Sequence, residues 1–167
     1  FYQQTALGIP VVYNTVDSKN IMIAKRNFDV VLFGATGYTA DLILKYILNE
    51  VPASERVSLA IAGRSRDKLE RIRKKYKSMI EGIIIADTVD QDSMEAMTKS
   101  CYCLLNTVGP YVKYGEAAVK ACLNTKTDYV DINGETGFIH DMQLKYDAEA
   151  REKGVSICMA CGFDSVA

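Results

Sequence analysis

Six short runs rich in β-branched and aromatic residues alternate with five stretches whose apolar side chains recur at helical spacing. The links between them are short, and the first run ends in a glycine-rich turn. Together these observations predict an α/β fold, a doubly wound parallel sheet of about six strands with helices on both faces and right-handed crossovers. Phe28-Asp29-Val30-Val31-Leu32-Phe33 reads as the first buried strand. Leu42, Ile43, Tyr46 and Ile47 then follow a helical period until Pro52 closes the segment. Residues 58–62 read as the second strand. Leu69, Ile72, Tyr76 and Met79 place one apolar stripe on the helix behind it, and Gly82 opens a third strand over 83–86. Thr88 with Gln91 three residues later is a capping-box pattern, and Met94 and Met97 give the short helix that follows an inner face. Strands over 101–105, 127–132 and 155–160 complete the sheet, separated by helices over 116–123 and 140–153. All three prolines, Pro10, Pro52 and Pro110, fall outside these elements.

With 167 residues, 49% of them hydrophobic, the chain is long enough for one globular domain that buries about 70% of its unfolded surface without cross-links. Twenty basic against 21 acidic residues leave no excess of cations, so the overall field offers nothing to nucleic acid. No apolar run approaches the roughly 18 residues of a membrane span. Five cysteines, an odd number among apolar neighbours, read as reduced thiols in a cytoplasmic setting. Residues 1–27 show neither alternation nor a helical stripe and are expected to be an irregular leader to a domain over 28–167. The chain starts at Phe1 rather than Met and stops at Ala167 after an apolar run, which reads as a piece of a longer protein.

The strongest chemical signal is Gly34-Ala35-Thr36-Gly37-Tyr38-Thr39-Ala40, directly after the first strand and opening the first helix. It is a G-x-x-G-x-x-A form of the Rossmann-type turn. Gly34 permits the tight turn, Gly37 lets a pyrophosphate approach the backbone, and Ala40 is small enough for close helix-to-strand packing. The helix then presents free N–H groups to the anion. The end of the second strand selects the dinucleotide. An acidic residue there would hold a ribose 2′-hydroxyl, but the chain reads Gly63-Arg64-Ser65-Arg66, with no acid before Asp67. Arg64 offers a bidentate fork and Ser65 a hydroxyl, which suits a 2′-phosphate and therefore NADP. The other cations of this helix, Arg66, Lys68, Arg71, Arg73, Lys74, Lys75 and Lys77, read as a solvated face.

Residues 28–165 resemble the NADP-binding domain of the saccharopine dehydrogenase-like oxidoreductases. The resembling stretches, in order, are Phe33-Gly34-Ala35-Thr36-Gly37-Tyr38-Thr39, Ala62-Gly63-Arg64-Ser65, Asn106-Thr107-Val108-Gly109-Pro110-Tyr111 with Tyr114-Gly115, Tyr129-Val130-Asp131-Ile132 with Gly134-Glu135, and Ala160-Cys161-Gly162-Phe163-Asp164-Ser165. The resemblance implies cofactor contacts at Asn106, Thr107, Val108 and Gly109, with Tyr111 and Tyr114 near the substrate cleft. It also implies a substrate domain after Ser165, which leaves this segment inactive alone. A small-molecule substrate, a homodimer of the full-length protein and an association with lipid droplets or membranes follow from the same likeness. Ala40 departs from the third glycine of many relatives, by one methyl group.

Other chemistries find less support. None of the ten tyrosines has a lysine four residues on, the proton-transfer pair of short-chain dehydrogenases. Cys158 and Cys161 form a C-x-x-C, but in a strand that spacing sends them to opposite faces, and no second pair completes a zinc site. Cys101 and Cys103 read as small apolar fillers. His140, the one histidine, opens a surface helix beside Asp141, and no nucleophile elbow accompanies it. Asp131, Glu135 and Asp164 end up on the carboxyl edge, where each either touches substrate or nicotinamide or caps a helix. No catalytic residue and no metal ligand stands out. The first reading is an NADP(H)-binding domain that positions nicotinamide for hydride transfer. The alternative is a non-catalytic dinucleotide-binding interaction module, lipid-associated by the same resemblance.

Overall fold

The computed structural model describes residues 25–77 and 79–162. Nearly all of the expected leader, and Phe163, Asp164 and Ser165 with the role assigned to Asp164, lie outside them. The chain alternates β1 (Phe28–Phe33), α1 (Tyr38–Glu50), β2 (Leu59–Gly63), α2 (Arg66–Lys75), β3 (Ile80–Ile85), α3 (Gln91–Lys99), β4 (Cys101–Asn106), α4 (Tyr111–Thr125), β5 (Asp128–Asp131), α5 (Thr136–Lys153) and β6 (Ile157–Cys158). The six strands form one sheet in the order β3-β2-β1-β4-β5-β6, and every pairing is parallel. From β3 the chain returns across the sheet to β4, so the direction of winding reverses between β1 and β4. Phe33 pairs with both Ala62 and Asn106, which brings the carboxyl ends of β1, β2 and β4 level at that switch point.

The period of two along the strands sorts their side chains into two cores. Val31 and Phe33 of β1 and Ala60 and Ala62 of β2 join Met94, Met97, Val119 and Phe138 under α3, α4 and α5. Leu32, Leu59 and Ile61 point the other way, to Ala40, Leu44 and Leu69 under α1 and α2. All of these side chains are buried, as a sheet covered on both faces requires.

Several boundaries differ from the sequence expectation, each for a local physical reason. The α2 helix stops at Lys75, because the Tyr76 carbonyl accepts from the N–H of Met79 and Ile80 in a turn that feeds β3. β3 therefore starts at Ile80 rather than after Gly82, and the Phe28 ring fills the space above that glycine. The N-cap of α3 is Asp90, whose carboxylate accepts from Ser93 N–H at 3.2 Å, and Thr88 takes no part in a capping box. α4 and α5 start earlier than expected, which puts His140 inside α5 instead of at its start. β6 is only two residues long. Beyond Cys158 the chain turns, with Ala160 left-handed at φ 57°, and both Ala160 and Cys161 donate backbone N–H groups to Asp131.

Candidate dinucleotide-binding cleft

The glycine turn is built into the sheet at three points. Gly34 N–H and Ala35 N–H both reach the Ala62 carbonyl of β2, at 3.0 and 3.2 Å, and Gly37 N–H closes onto the Gly34 carbonyl at 2.9 Å. From the other side, Thr107 donates both its N–H (2.9 Å) and its hydroxyl (2.8 Å) to the Phe33 carbonyl. Gly34 has φ +85°, and a Cβ added there would lie 2.8 Å from both Thr107 Oγ1 and Val108 Cγ2. Only glycine satisfies that backbone and that approach. Gly37 has an ordinary φ of -84°, and its imagined Cβ meets only the Gly34 carbonyl, at 3.2 Å. No side chain caps the N-terminus of α1. The turn thus leaves an open cradle with helical N–H groups behind it, which suits a pyrophosphate.

A cleft of about 220 Å³ opens at this switch point. Its walls bring together Gly34, Thr36 and Gly37 of the turn, Arg64 at the end of β2, and Thr107, Val108 and Gly109 of the loop after β4. Arg64 is exposed and makes no hydrogen bond or ion pair among the described residues, so its guanidinium is available to an anion. Five of the residues expected here are not on the cleft wall. Ala35 is buried beneath the turn, Tyr38 is 81% exposed on the outer surface of α1, and Thr39 lies within the first turn of that helix. Ser65 is the N-cap residue of α2, without a side-chain cap bond. Asn106 faces inward. Its side-chain carbonyl accepts from Val108 N–H at 3.0 Å and its amide donates to the Tyr129 hydroxyl at 3.1 Å, so it fixes the loop from below. Sequence reasoning did not single out Thr88, which reaches the cleft from beyond β3, or Gly63 as a wall residue. Position just past a strand's carboxyl end was the available signal for both. Tyr114 also lines the cleft, whereas Tyr111 is buried, its hydroxyl donating to the Asn106 carbonyl at 3.0 Å. Burial and the neighbouring Asp131 push the Tyr111 hydroxyl up to about 12.

Next to the cleft, on the β5 side, the polar groups are already engaged. The Tyr129 hydroxyl donates to Asp131 at 2.7 Å, and Asn133 donates to both oxygens of the same carboxylate at 2.8 Å. Burial, and then the Asp131 charge, hold the Tyr129 hydroxyl far above its ordinary range, so it stays a neutral hydroxyl that donates to Asp131 and accepts from Asn106. Glu135 reaches back to the start of α4 and accepts from the N–H groups of Tyr111 and Val112, both at 2.7 Å. Asp131 and Glu135 therefore have structural partners. Of the two roles the sequence left open for them, the capping and loop-binding one describes what the geometry shows. Among the described residues, no group of three or more His, Cys, Asp or Glu could hold a metal, and no helix is long and apolar enough to cross a membrane.

The parallel order, the glycine turn and the exposed cation beside it define a dinucleotide-binding domain of the doubly wound class. Residues 30–158 match the model of the saccharopine dehydrogenase NADP-binding domain, and the chain belongs to that family. A saccharopine dehydrogenase-like oxidoreductase of Homo sapiens is 40% identical over 153 residues, which is 85% of this chain and 36% of that protein. A lipid droplet localized protein of Caenorhabditis elegans is 38% identical over 145 residues, 83% of this chain and 34% of that protein. The chain thus spans about a third of the length of these relatives. Among solved structures, the apo saccharopine dehydrogenase (L-Glu forming) of Saccharomyces cerevisiae superposes with a TM-score of 0.64 at 17% identity, over 82% of this chain and 28% of that one, a likeness of fold.

Proposed function

We propose that the cleft at the β1–β4 switch point binds NADP(H) and presents its nicotinamide for hydride transfer. In this reading the pyrophosphate lies over Gly34, Thr36 and Gly37 at the start of α1, and Arg64 grips the 2′-phosphate, with Ser65 beside it. Ala35, Tyr38 and Thr39 supply the backbone of the turn. Thr107, Val108 and Gly109 flank the ribose and nicotinamide, on a loop that Asn106 holds in place. The observation that carries the reading is an exposed arginine without a partner among the described residues, on the same cleft wall as a glycine whose φ and close contacts exclude any side chain. When bound, the cofactor supplies the hydride chemistry, and the protein supplies orientation. Titration of the chain with NADPH and NADH tests this: NADPH is expected to bind at least about tenfold tighter, equivalent to roughly 1.4 kcal/mol. Equal or absent binding of the two overturns it. Arg64→Asp, which sets a carboxylate against the 2′-phosphate, is expected to erase that preference while changing NADH affinity little.

The relatives' greater length supports a division of labour in which residues 28–167 form the cofactor domain and a substrate domain outside them completes the pocket for a small molecule. The full-length protein would then be an NADP-dependent oxidoreductase, acting as a homodimer in the cytoplasm. The name of the nematode relative supports a lipid droplet as its place of work. A second reading, a dinucleotide-binding module without redox chemistry, draws on the engagement of Asp131 and Glu135 by the scaffold, which leaves neither free as a proton carrier. Hydride exchange by the full-length protein with a carbonyl, imine or enoyl substrate separates the two, since any turnover excludes the second.

A further inference from the structure

The C-x-x-C at the end of β6 does not behave as a strand would dictate. β6 ends at Cys158 itself, and the left-handed Ala160 folds the next residues back, with Asp131 holding the turn through Ala160 N–H at 2.8 Å and Cys161 N–H at 2.7 Å. As a result Cys161 Sγ lies 2.8 Å from Cys158 Sγ and 3.4 Å from the Cys158 carbonyl oxygen. Opposite faces, the expectation from alternation, would have kept the two sulfurs apart. Both side chains are exposed, whereas Cys101 and Cys122 are buried and Cys103 is half-buried. Burial keeps Cys101 and Cys122 out of reach of reagents in solution, and desolvation with the bond to Cys158 pushes the Cys161 thiol up to about 12, which suits a partner that keeps its proton until a leaving thiolate takes it. Neither cysteine of the pair lines the cleft at the switch point.

We propose that Cys158 and Cys161 form a dithiol site that exchanges with low-molecular-weight disulfides and closes to an intramolecular disulfide. The anchored turn already holds the two sulfurs together, so closure needs no rearrangement of the sheet. Cys161 donates its S–H to Cys158 Sγ, which leaves Cys158 as the attacking sulfur. As a thiolate, Cys158 displaces one half of the small disulfide, R–S–S–R. The reagent's S–S bond breaks, a mixed disulfide forms on Cys158, and RS⁻ departs. Cys161 gives its proton to that leaving thiolate and attacks the Cys158 sulfur, expelling a second RS⁻, which takes up the proton Cys158 had lost. The protein dithiol is oxidised by two electrons and R–S–S–R is reduced to two R–SH. A dithiol reductant runs the sequence backwards.

The chain equilibrated in mixtures of glutathione and glutathione disulfide, quenched in acid, alkylated in denaturant and digested with trypsin, tests the proposal directly. No Lys or Arg follows Lys153, so residues 154–167 form one peptide that carries both cysteines. This peptide is expected to lose two hydrogens and escape alkylation, while Cys101 and Cys122 remain alkylated. Cys161→Ser is expected to stall at the mixed disulfide and retain at least about tenfold more bound glutathione than Cys158→Ser, because the attacking sulfur is still present. Full alkylation of both cysteines across the range of mixtures, or a disulfide from either one to another cysteine, overturns the proposal. The wild-type peptide map decides it even if a serine variant fails to fold.

Discussion

At the carboxyl edge of the sheet, the N-termini of α1 and α4 face the same way but are finished in opposite fashion. α4 has its first N–H groups taken by Glu135, and the loops around it are tied into one polar chain through Asn106, Tyr129, Asp131 and Asn133. α1 has no side-chain cap, and the residues facing it across the cleft include Arg64, which has no partner among the described residues. A helix N-terminus attracts an anion from whatever source is nearest. On the β5 side the protein provides that anion itself, and on the β2 side it leaves the position to a ligand. Substitutions on the first side should therefore remove stability, and substitutions on the second should remove binding.

The largest effect is expected from Asp131→Ala. The change leaves the Tyr129 hydroxyl, the Asn133 amide and the backbone N–H of Asn133 and Ala160 without their acceptor in a buried setting. Buried donors left unsatisfied cost about 1–3 kcal/mol each where no water replaces the partner, so a loss of roughly 3–5 kcal/mol in urea denaturation is expected. A loss below about 1 kcal/mol would break the contrast, because it would mean that the closed side is not held by this network.

Gly34→Ala is expected to come next, and to act on binding more than on stability. The left-handed backbone costs an L-residue about 1–2 kcal/mol, and the new methyl pushes on Thr107 and Val108, the residues that form the opposite wall of the cleft. NADPH affinity should fall at least about tenfold in a fluorescence titration, more than the change in folding free energy alone accounts for. Gly37→Ala, with an ordinary φ and one contact at 3.2 Å, should fall between this variant and the wild type. An equal effect at the two glycines would mean that the turn tolerates side chains generally and that close approach does not define the site.

How legible each side was in the sequence follows the same division. The open side could be read because its requirements are local: a buried strand demands a continuous apolar run, a left-handed turn demands glycine, and Arg64 stands immediately after its strand. The closed side depends on partners far along the chain. Nothing near Pro110 announces that α4 starts at Tyr111, because the cap comes from Glu135, 24 residues later. Asn106 sits in a loop motif and looks like a ligand contact until Tyr129, 23 residues on, is seen to engage its amide. The same holds at β6, where alternation placed Cys158 and Cys161 on opposite faces. Strand geometry did not extend that far, because Asp131 of the neighbouring strand draws the backbone into a turn.

The smallest effect is expected at Asp41, which links the two helices beneath the open side. Its carboxylate accepts from Lys45, Lys75 and the Tyr76 hydroxyl, each at 2.8 Å, joining α1 to α2 at the surface. The hydrogen bonds from Lys45, then Lys75 and Tyr76, hold this carboxyl well below the usual range. A lowered folded value stabilises the protein where the unfolded group would be charged, so the contribution is complete above about pH 4 and is lost as the pH falls through the folded value. Asp41→Asn should accordingly lower the melting temperature only slightly at pH 7, less than either variant above, since solvated ion pairs contribute little. The gap between variant and wild type should narrow in acid and also at about 1 M salt, where such pairs are screened. A gap that matches that of Asp131→Ala, or that persists unchanged at low pH, would show that the open side too is held by its own charged network, and would remove the distinction between the two sides.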